Sequence, residues 1–203
     1  MTRNIIFDMG QVLICWHPDL LTAHMEFSEE DRRLLIREVF QSVEWVRLDR
    51  GTISEEDAAA AICRRLPEHL HGAAEALVKD WWKRPLTPMP GMAELIAELK
   101  ENGYGIYLLS NASLRLREYF HRIPGSEYFD GLMVSAEQKL LKPQHEIYER
   151  LFAAFCLEPE SCFFIDDAPA NIEGAFQAGM PGTIFRGDAA ALRRELRENG
   201  ICK

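Results

Sequence analysis

The sequence predicts an α/β fold in which a mostly parallel sheet lies between layers of helix and an all-helical segment is inserted after the first strand. Three observations carry this. Short apolar runs alternate with amphipathic stretches through much of the chain, the pattern of β-α units. One tract, residues 17 to 87, breaks that alternation and holds helical patterns without a convincing strand. The 203 residues are enough for one core and one modest insertion. The division expected is a core of residues 1–15 and 88–203 and a helical cap of residues 16–87.

The elements follow in order. "NIIFD" (4–8) is the first strand. In the cap, "SEEDRRLLIREVFQSV" (28–43) and "SEEDAAAAICRRL" (54–66) both open on a serine able to cap and on acids suited to a helix N-terminus. The chain returns to the core near "RPLTPMPG". "MAELIAELKEN" (92–102) is an amphipathic helix, led in by Pro88, Pro90 and Gly91 and stopped by Gly103 as the residue after its end. The remaining strands are "YGIYLLS" (104–110), "GLMVS" (131–135), "CFFID" (162–166) and "GTIF" (182–185). There is no internal repeat, low-complexity tract or long linker.

Composition narrows the function classes. Hydrophobic residues make up 47% of the chain and charged residues 27%, and no apolar run approaches the roughly 18 residues of a membrane helix. The opening "MTRNIIFDMG" is too poor in apolar residues for a secretory signal, so a cytoplasmic location is expected. Cys15, Cys63, Cys156, Cys162 and Cys202 are scattered and never spaced C-x-x-C, which fits reduced packing residues. A net charge of −9 argues against sequence-independent nucleic-acid binding, which depends on Lys and Arg neutralising phosphates. A monomer is the default.

Four pieces carry possible chemistry. Asp8 ends a buried strand, and open parallel sheets bind ligands beyond the carboxyl ends of their strands; taken alone, an Asp there is equally a turn residue. In "YLLSNAS", Ser110 and Asn111 precede the helical segment "SLRLREYF", so a hydroxyl, an amide and free helix N–H groups together suit an anion, although Ser110, Asn111 or Ser113 would serve equally as an N-cap. In "KLLKPQHEIYERL", Pro143 suits the first position of a helix. That leaves Lys142 at the helix mouth, where a positive charge is unfavourable unless it holds an anion. In "CFFIDDAPANIEGAFQAG", Asp166 and Asp167 follow a buried strand side by side. Two like charges there call for a cation, a hard divalent ion above all, with Asp8 able to complete its oxygen ligands.

The order of these pieces is specific: strand-Asp, helical insertion, strand-Ser, Lys-Pro-helix, strand-Asp-Asp-helix. With "FDMGQVL", "LLSN", "KP" and "FFIDDAPANIEGA", the sequence resembles the haloacid dehalogenase-like hydrolases over residues 4–14 and 88–186. Within them it looks similar to bacterial sugar phosphatases of the α-D-glucose-1-phosphate phosphatase kind. The resemblance implies a Rossmann-like three-layer core and a Mg²⁺-dependent phosphomonoester hydrolase acting on a small sugar phosphate. Asp8 would be the nucleophile, forming an aspartyl-phosphate that water hydrolyses. Asp8, the Gly10 carbonyl and Asp167 would hold Mg²⁺, with Asp166 a supporting or water-mediated contact. Ser110 and Asn111 would bind the phosphoryl oxygens, and Lys142 would neutralise phosphate charge and steady Asp8.

Position 10 departs from that pattern, because most phosphatases of the family carry a second Asp there to protonate the leaving oxygen and activate water. Gly10 offers no proton. One expectation is a substrate that needs less help, a sugar 1-phosphate, whose anomeric oxygen leaves more readily. Another is a replacement acid at His17 or Asp19. Dehalogenation and non-catalytic binding of a phosphorylated metabolite are the alternatives. The adjacent acids tell against the first, and the retained nucleophile tells against the second. Trp16, Trp45, Trp81 and Trp82 are candidates to stack on a sugar, and Arg47 or Arg50 to meet a second acidic group. No zinc-protease motif, Walker loop or nucleophile elbow is present.

Overall fold

The computed structural model describes residues 2–201. One sheet holds β1 (Asn4–Phe7), β2 (Gly105–Ser110), β3 (Gly131–Val134), β4 (Cys162–Asp166) and β5 (Gly182–Ile184) in the order β3-β2-β1-β4-β5. Every pairing is parallel. The strands fall inside the segments the sequence marks; the central β1 and β4 are apolar runs buried on both faces, as a helix-covered parallel sheet requires, while the edge strand β5 is only half-buried.

Between β1 and β2 lie α1 (Pro18–Thr22), α2 (Glu29–Leu35), α3 (Val43–Arg50), α4 (Glu55–Cys63) and α5 (His71–Lys79), followed by α6 (Met92–Glu101). The rest of the chain adds α7 (Leu116–Tyr119), α8 (Ser135–Gln138), α9 (His145–Phe155), α10 (Pro169–Gln177) and α11 (Ala189–Glu198). Successive strand residues point to opposite faces, which builds three layers. Ile5, Phe7, Leu108 and Ile165 pack with Leu95 and Leu99 of α6 and Leu192 of α11. Ile6, Leu109 and Phe164 pack with Ile147 and Leu151 of α9 and Ala175 of α10. The insertion has its own apolar cluster, including Leu35, Val39, Leu48, Ile62, Leu70 and Leu77.

Ser28 and Ser54 cap α2 and α4, accepting from the Asp31 and Asp57 amides at 3.1 and 3.0 Å. The stretch 28–43 is not one helix. α2 passes into a π turn at Ile36–Phe40, and the chain breaks at Gln41 and Ser42. The Ser42 hydroxyl donates to the Val39 carbonyl and accepts from the Trp45 amide, closing one helix and opening α3. Two further expectations are corrected. "SLRLREYF" winds only into the short α7, so Asn111 does not stand at a helix N-terminus. α9 starts at His145, after a turn in which the Gln144 side chain accepts from the Leu141 amide; Pro143 therefore precedes the helix, and Lys142 is not at its mouth.

Because all strands run the same way, Asp8, Ser110–Asn111 and Asp166–Asp167 emerge at one edge of the sheet. β1 is where the strand order reverses, with β2 on one side and β4 on the other, the place where open α/β sheets bind ligands. Among the described residues no helix is long and apolar enough to cross a membrane and no disulfide forms; Cys202 lies outside them.

Candidate active site

Asp8 follows β1, its amide donating to the Ile165 carbonyl at 2.9 Å, which ties it to the end of β4. The Lys142 ammonium, with its side chain 1% exposed, donates to Asp8 Oδ1 at 2.7 Å, Asp166 Oδ2 at 2.6 Å and the Leu109 carbonyl at 2.9 Å. All three donor hydrogens of the amine are thereby used. Asn111 grips the main chain of the same lysine from both ends of its amide: Oδ1 accepts from the Lys142 amide at 2.8 Å and Nδ2 donates to the Lys142 carbonyl at 3.1 Å. The Asn111 side chain is thus engaged in holding Lys142. The hydroxyl of Ser110 lines the cleft and has no hydrogen-bond partner among the described residues.

Asp166 is fully buried and saturated. Its oxygens accept from Lys142, from the Ala168 amide at 2.8 Å and from Asn171 Nδ2 at 3.0 Å to each. Asp167, next along the chain, is exposed and opens onto the cleft. Carboxylate oxygens of Asp8, Asp166 and Asp167 lie within 4.8 Å of one another. With one lysine among three acids, the group lacks positive charge. A hard cation fits the lone pairs still unfilled on Asp8 and Asp167, the Lys142-bonded Asp8 oxygen included, whereas Asp166 has none to spare.

Burial pushes the Asp8 carboxyl up to about 6, with Lys142 opposing and Asp166 adding to the rise. For Lys142 burial favours loss of the proton, but Asp8 and Asp166 outweigh it and hold its pKa above the ordinary value. Partial burial and then Asp166 raise Asp167.

The cleft over these groups has a volume of about 200 Å³. Met9, Gly10 and Gln11 line it together with an aromatic wall from Trp16, Trp45, Trp81 and Tyr119. Trp81 meets Trp16 edge-on with centroids 4.5 Å apart and Tyr119 at 5.2 Å. Such contacts fix ring orientation. Trp16 precedes the insertion's helices and Trp45 belongs to α3, so the wall is supplied largely from the insertion.

A family model of haloacid dehalogenase-like hydrolases matches residues 2–179. The chain belongs to this family. Similar to this haloacid dehalogenase-like hydrolase is the sesquiterpene phosphatase astK of Aspergillus oryzae, 29% identical over 97% of this chain and 95% of the relative. A HAD-like family hydrolase from Porphyromonas gingivalis has the same fold, with a TM-score of 0.72 and 23% identity over 97% of this chain and 98% of that one. So does a HAD family enzyme of Bacteroides thetaiotaomicron in complex with magnesium and inorganic phosphate, with a TM-score of 0.65 and 22% identity over 95% and 99%.

The hydrolase brings Asp8, Gly10, Ser110, Asn111, Lys142 and Asp167 to one cleft. His17 and Asp19 are elsewhere. His17 is exposed, pairs with the Gln11 amide at 3.0 Å and lines a separate groove with Leu20 and Arg84; Asp19 is exposed on α1. Trp82 turns away, its indole N–H donating to the Lys79 carbonyl. Arg47 and Arg50 are not in the cleft lining, and Arg50 reaches Gln144 instead. Asp49, at the end of α3, Tyr119 of α7 and Asn171 of α10 are cleft residues that escape the sequence reading. For Asp49 the signal available was its spacing, four residues after Trp45, which sets both on one helix face.

Proposed function

We propose that this protein is a Mg²⁺-dependent phosphomonoesterase in which Asp8 attacks the phosphorus of a small sugar phosphate and carries the phosphoryl group as an aspartyl-phosphate. The observation that carries the reading is the Lys142 ammonium between Asp8 and Asp166, with the Asp167 carboxylate open beside them. Lys142 holds one oxygen of Asp8 and leaves the other for attack. Its own position is held by Asp166 and Asn111. The Ser110 hydroxyl is free to donate to a phosphoryl oxygen. Phosphoryl transfer depends chiefly on such positioning and on charge stabilisation.

Asp8, the Gly10 carbonyl and Asp167 are the groups we assign to Mg²⁺, which when bound neutralises charge on the phosphoryl oxygens. Phosphatase activity in the Aspergillus oryzae relative and magnesium with phosphate in the Bacteroides thetaiotaomicron enzyme support the reading. The tryptophan wall suits a ring face. A sugar 1-phosphate is the ester least dependent on an acid at position 10, because its anomeric oxygen leaves more readily than an ordinary alkoxide.

The test is phosphate release from sugar 1- and 6-phosphates with Mg²⁺ or with EDTA. Release that needs the metal and vanishes in Asp8→Asn is expected. Release unaffected by EDTA or retained in Asp8→Asn would sink the proposal.

A further inference from the structure

We propose that Asp49, carried on α3 of the helical insertion, is the general acid and base of the reaction in place of the carboxylate missing at position 10; this rests on the phosphomonoesterase reading above. Asp49 lines the cleft that also holds Asp8. Its carboxyl group makes no hydrogen bond and no ion pair with any described residue. The other acid of the same helix, Glu44, is paired with Arg65 at 2.8 Å. A half-buried acid without a partner is costly to keep unless it serves a ligand.

The fold delivers this residue to the cleft by its main chain. The Ser135 hydroxyl of α8 donates to the Asp49 carbonyl at 2.5 Å and accepts from the Ala112 amide at 2.9 Å, in the loop that follows Ser110 and Asn111. The Lys139 ammonium donates to the Gly51 carbonyl. Gly51 itself sits at φ +68°, where a Cβ would lie 2.2 Å from the Ala136 carbonyl oxygen, so the absence of a side chain lets the end of α3 close onto α8. The insertion is thereby pinned at the residue that faces the nucleophile's cleft.

Protonation fits the role. Burial, and then the charge of Asp8, push the Asp49 carboxyl well above the ordinary carboxylate range, the direction that favours a proton-donating role. The other titratable groups of the cleft are Asp8 after β1, Tyr119 of α7, and Lys142 and Asp167 on the side of α9 and α10. Tyr119 stays neutral, its pKa raised by burial and by Asp49 and Asp8. Position 10 is not without an acid for want of room: a Cβ there would meet Trp16 Cβ at 3.7 Å, an ordinary contact.

In the first step an Asp8 oxygen bonds to phosphorus, the bond from phosphorus to the ester oxygen breaks, and that oxygen takes the Asp49 proton. In the second, Asp49 accepts a proton from water as the water oxygen bonds to phosphorus. The Asp8–phosphorus bond breaks, inorganic phosphate leaves, and both carboxyl groups return to their starting states. With a proton supplied from Asp49, ordinary alkyl esters are substrates alongside sugar 1-phosphates.

The test compares Asp49→Asn with the wild type on an alkyl phosphate and on p-nitrophenyl phosphate, whose phenolate leaves without a proton. In kcat/KM the variant should lose about 10²- to 10⁴-fold on the alkyl ester, and about tenfold less or smaller on the aryl ester. Equal losses on both esters mark a structural role and overturn the proposal, as does an unchanged alkyl rate. If Asp49 fails in this way while the wild type is active and Asp8→Asn is not, the phosphomonoesterase reading stands. A wild type that releases phosphate from neither ester overturns both.

Discussion

At the scale of the residue, Lys142 carries the largest electrostatic load. Its ammonium is out of water and compensates two buried carboxylates at once, Asp8 and Asp166. Removing one member of a buried ion network leaves uncompensated charge, typically at a cost of about 3–5 kcal/mol. Lys142→Met, which keeps much of the side-chain volume, should lose about that much in urea unfolding with EDTA present. A loss under about 1 kcal/mol would mean that the ammonium is not needed to hold the two acids. In the sequence the lysine stands out as a charge in an awkward place, and the structure gives a different reason for that place. Its position is set by Asn111 and the Leu141–Gln144 turn rather than by a helix beginning at Pro143. The family resemblance sets Asp167 apart from Asp166, and the two differ in the structure: Asp166 accepts hydrogen bonds at both oxygens, whereas Asp167 opens onto the cleft.

At the scale of the element, α3 joins the insertion to the core chemistry. Trp45 and Asp49 share its inner face, and Gly51 ends it in the left-handed conformation. Gly51→Ala meets two penalties, the positive φ and a clash with the Ala136 carbonyl oxygen. Gly187, at φ +81° with nothing within 4 Å of its would-be Cβ, meets only the first. Thermal unfolding should therefore show Gly51→Ala losing more stability than Gly187→Ala, by at least about 1 kcal/mol, with reduced phosphate release only in the former. Equal losses in stability and activity would contradict the docking of α3 on α8. The role of α3 was hidden in the sequence. The helical pattern of 28–43 runs through the π turn and into the start of α3, and the cap at Ser42 that breaks it uses a hydroxyl no different in sequence from a surface serine. Asp49 carries no local mark beyond its spacing from Trp45, because its environment is made by Asp8, Tyr119 and Trp81 from distant segments.

At the scale of the molecule, the fold was legible because a buried parallel sheet writes its strands as apolar runs. The same order of strands that sets β1 between β2 and β4 gathers the acids, the serine and the lysine at one edge. The candidates nearest the sheet edge accordingly line the cleft, and of those on the insertion Trp16, Trp45 and Trp81 line it, but Trp82, His17 and Asp19 do not. Side-chain direction on short helices depends on packing that local pattern does not encode. In a chain of net charge −9, an anionic phosphate ester must be met by local charge, which here is Lys142 and the cation the acids are suited to hold. The most direct measurement of the central claim is acid-quenched turnover with Mg²⁺ and a phosphate ester, followed by mass spectrometry of the peptides. A single phosphoryl group on the peptide containing Asp8, lost in Asp8→Asn, is the expected result. Turnover without a phosphorylated peptide, or with the phosphoryl group on another residue, would contradict it.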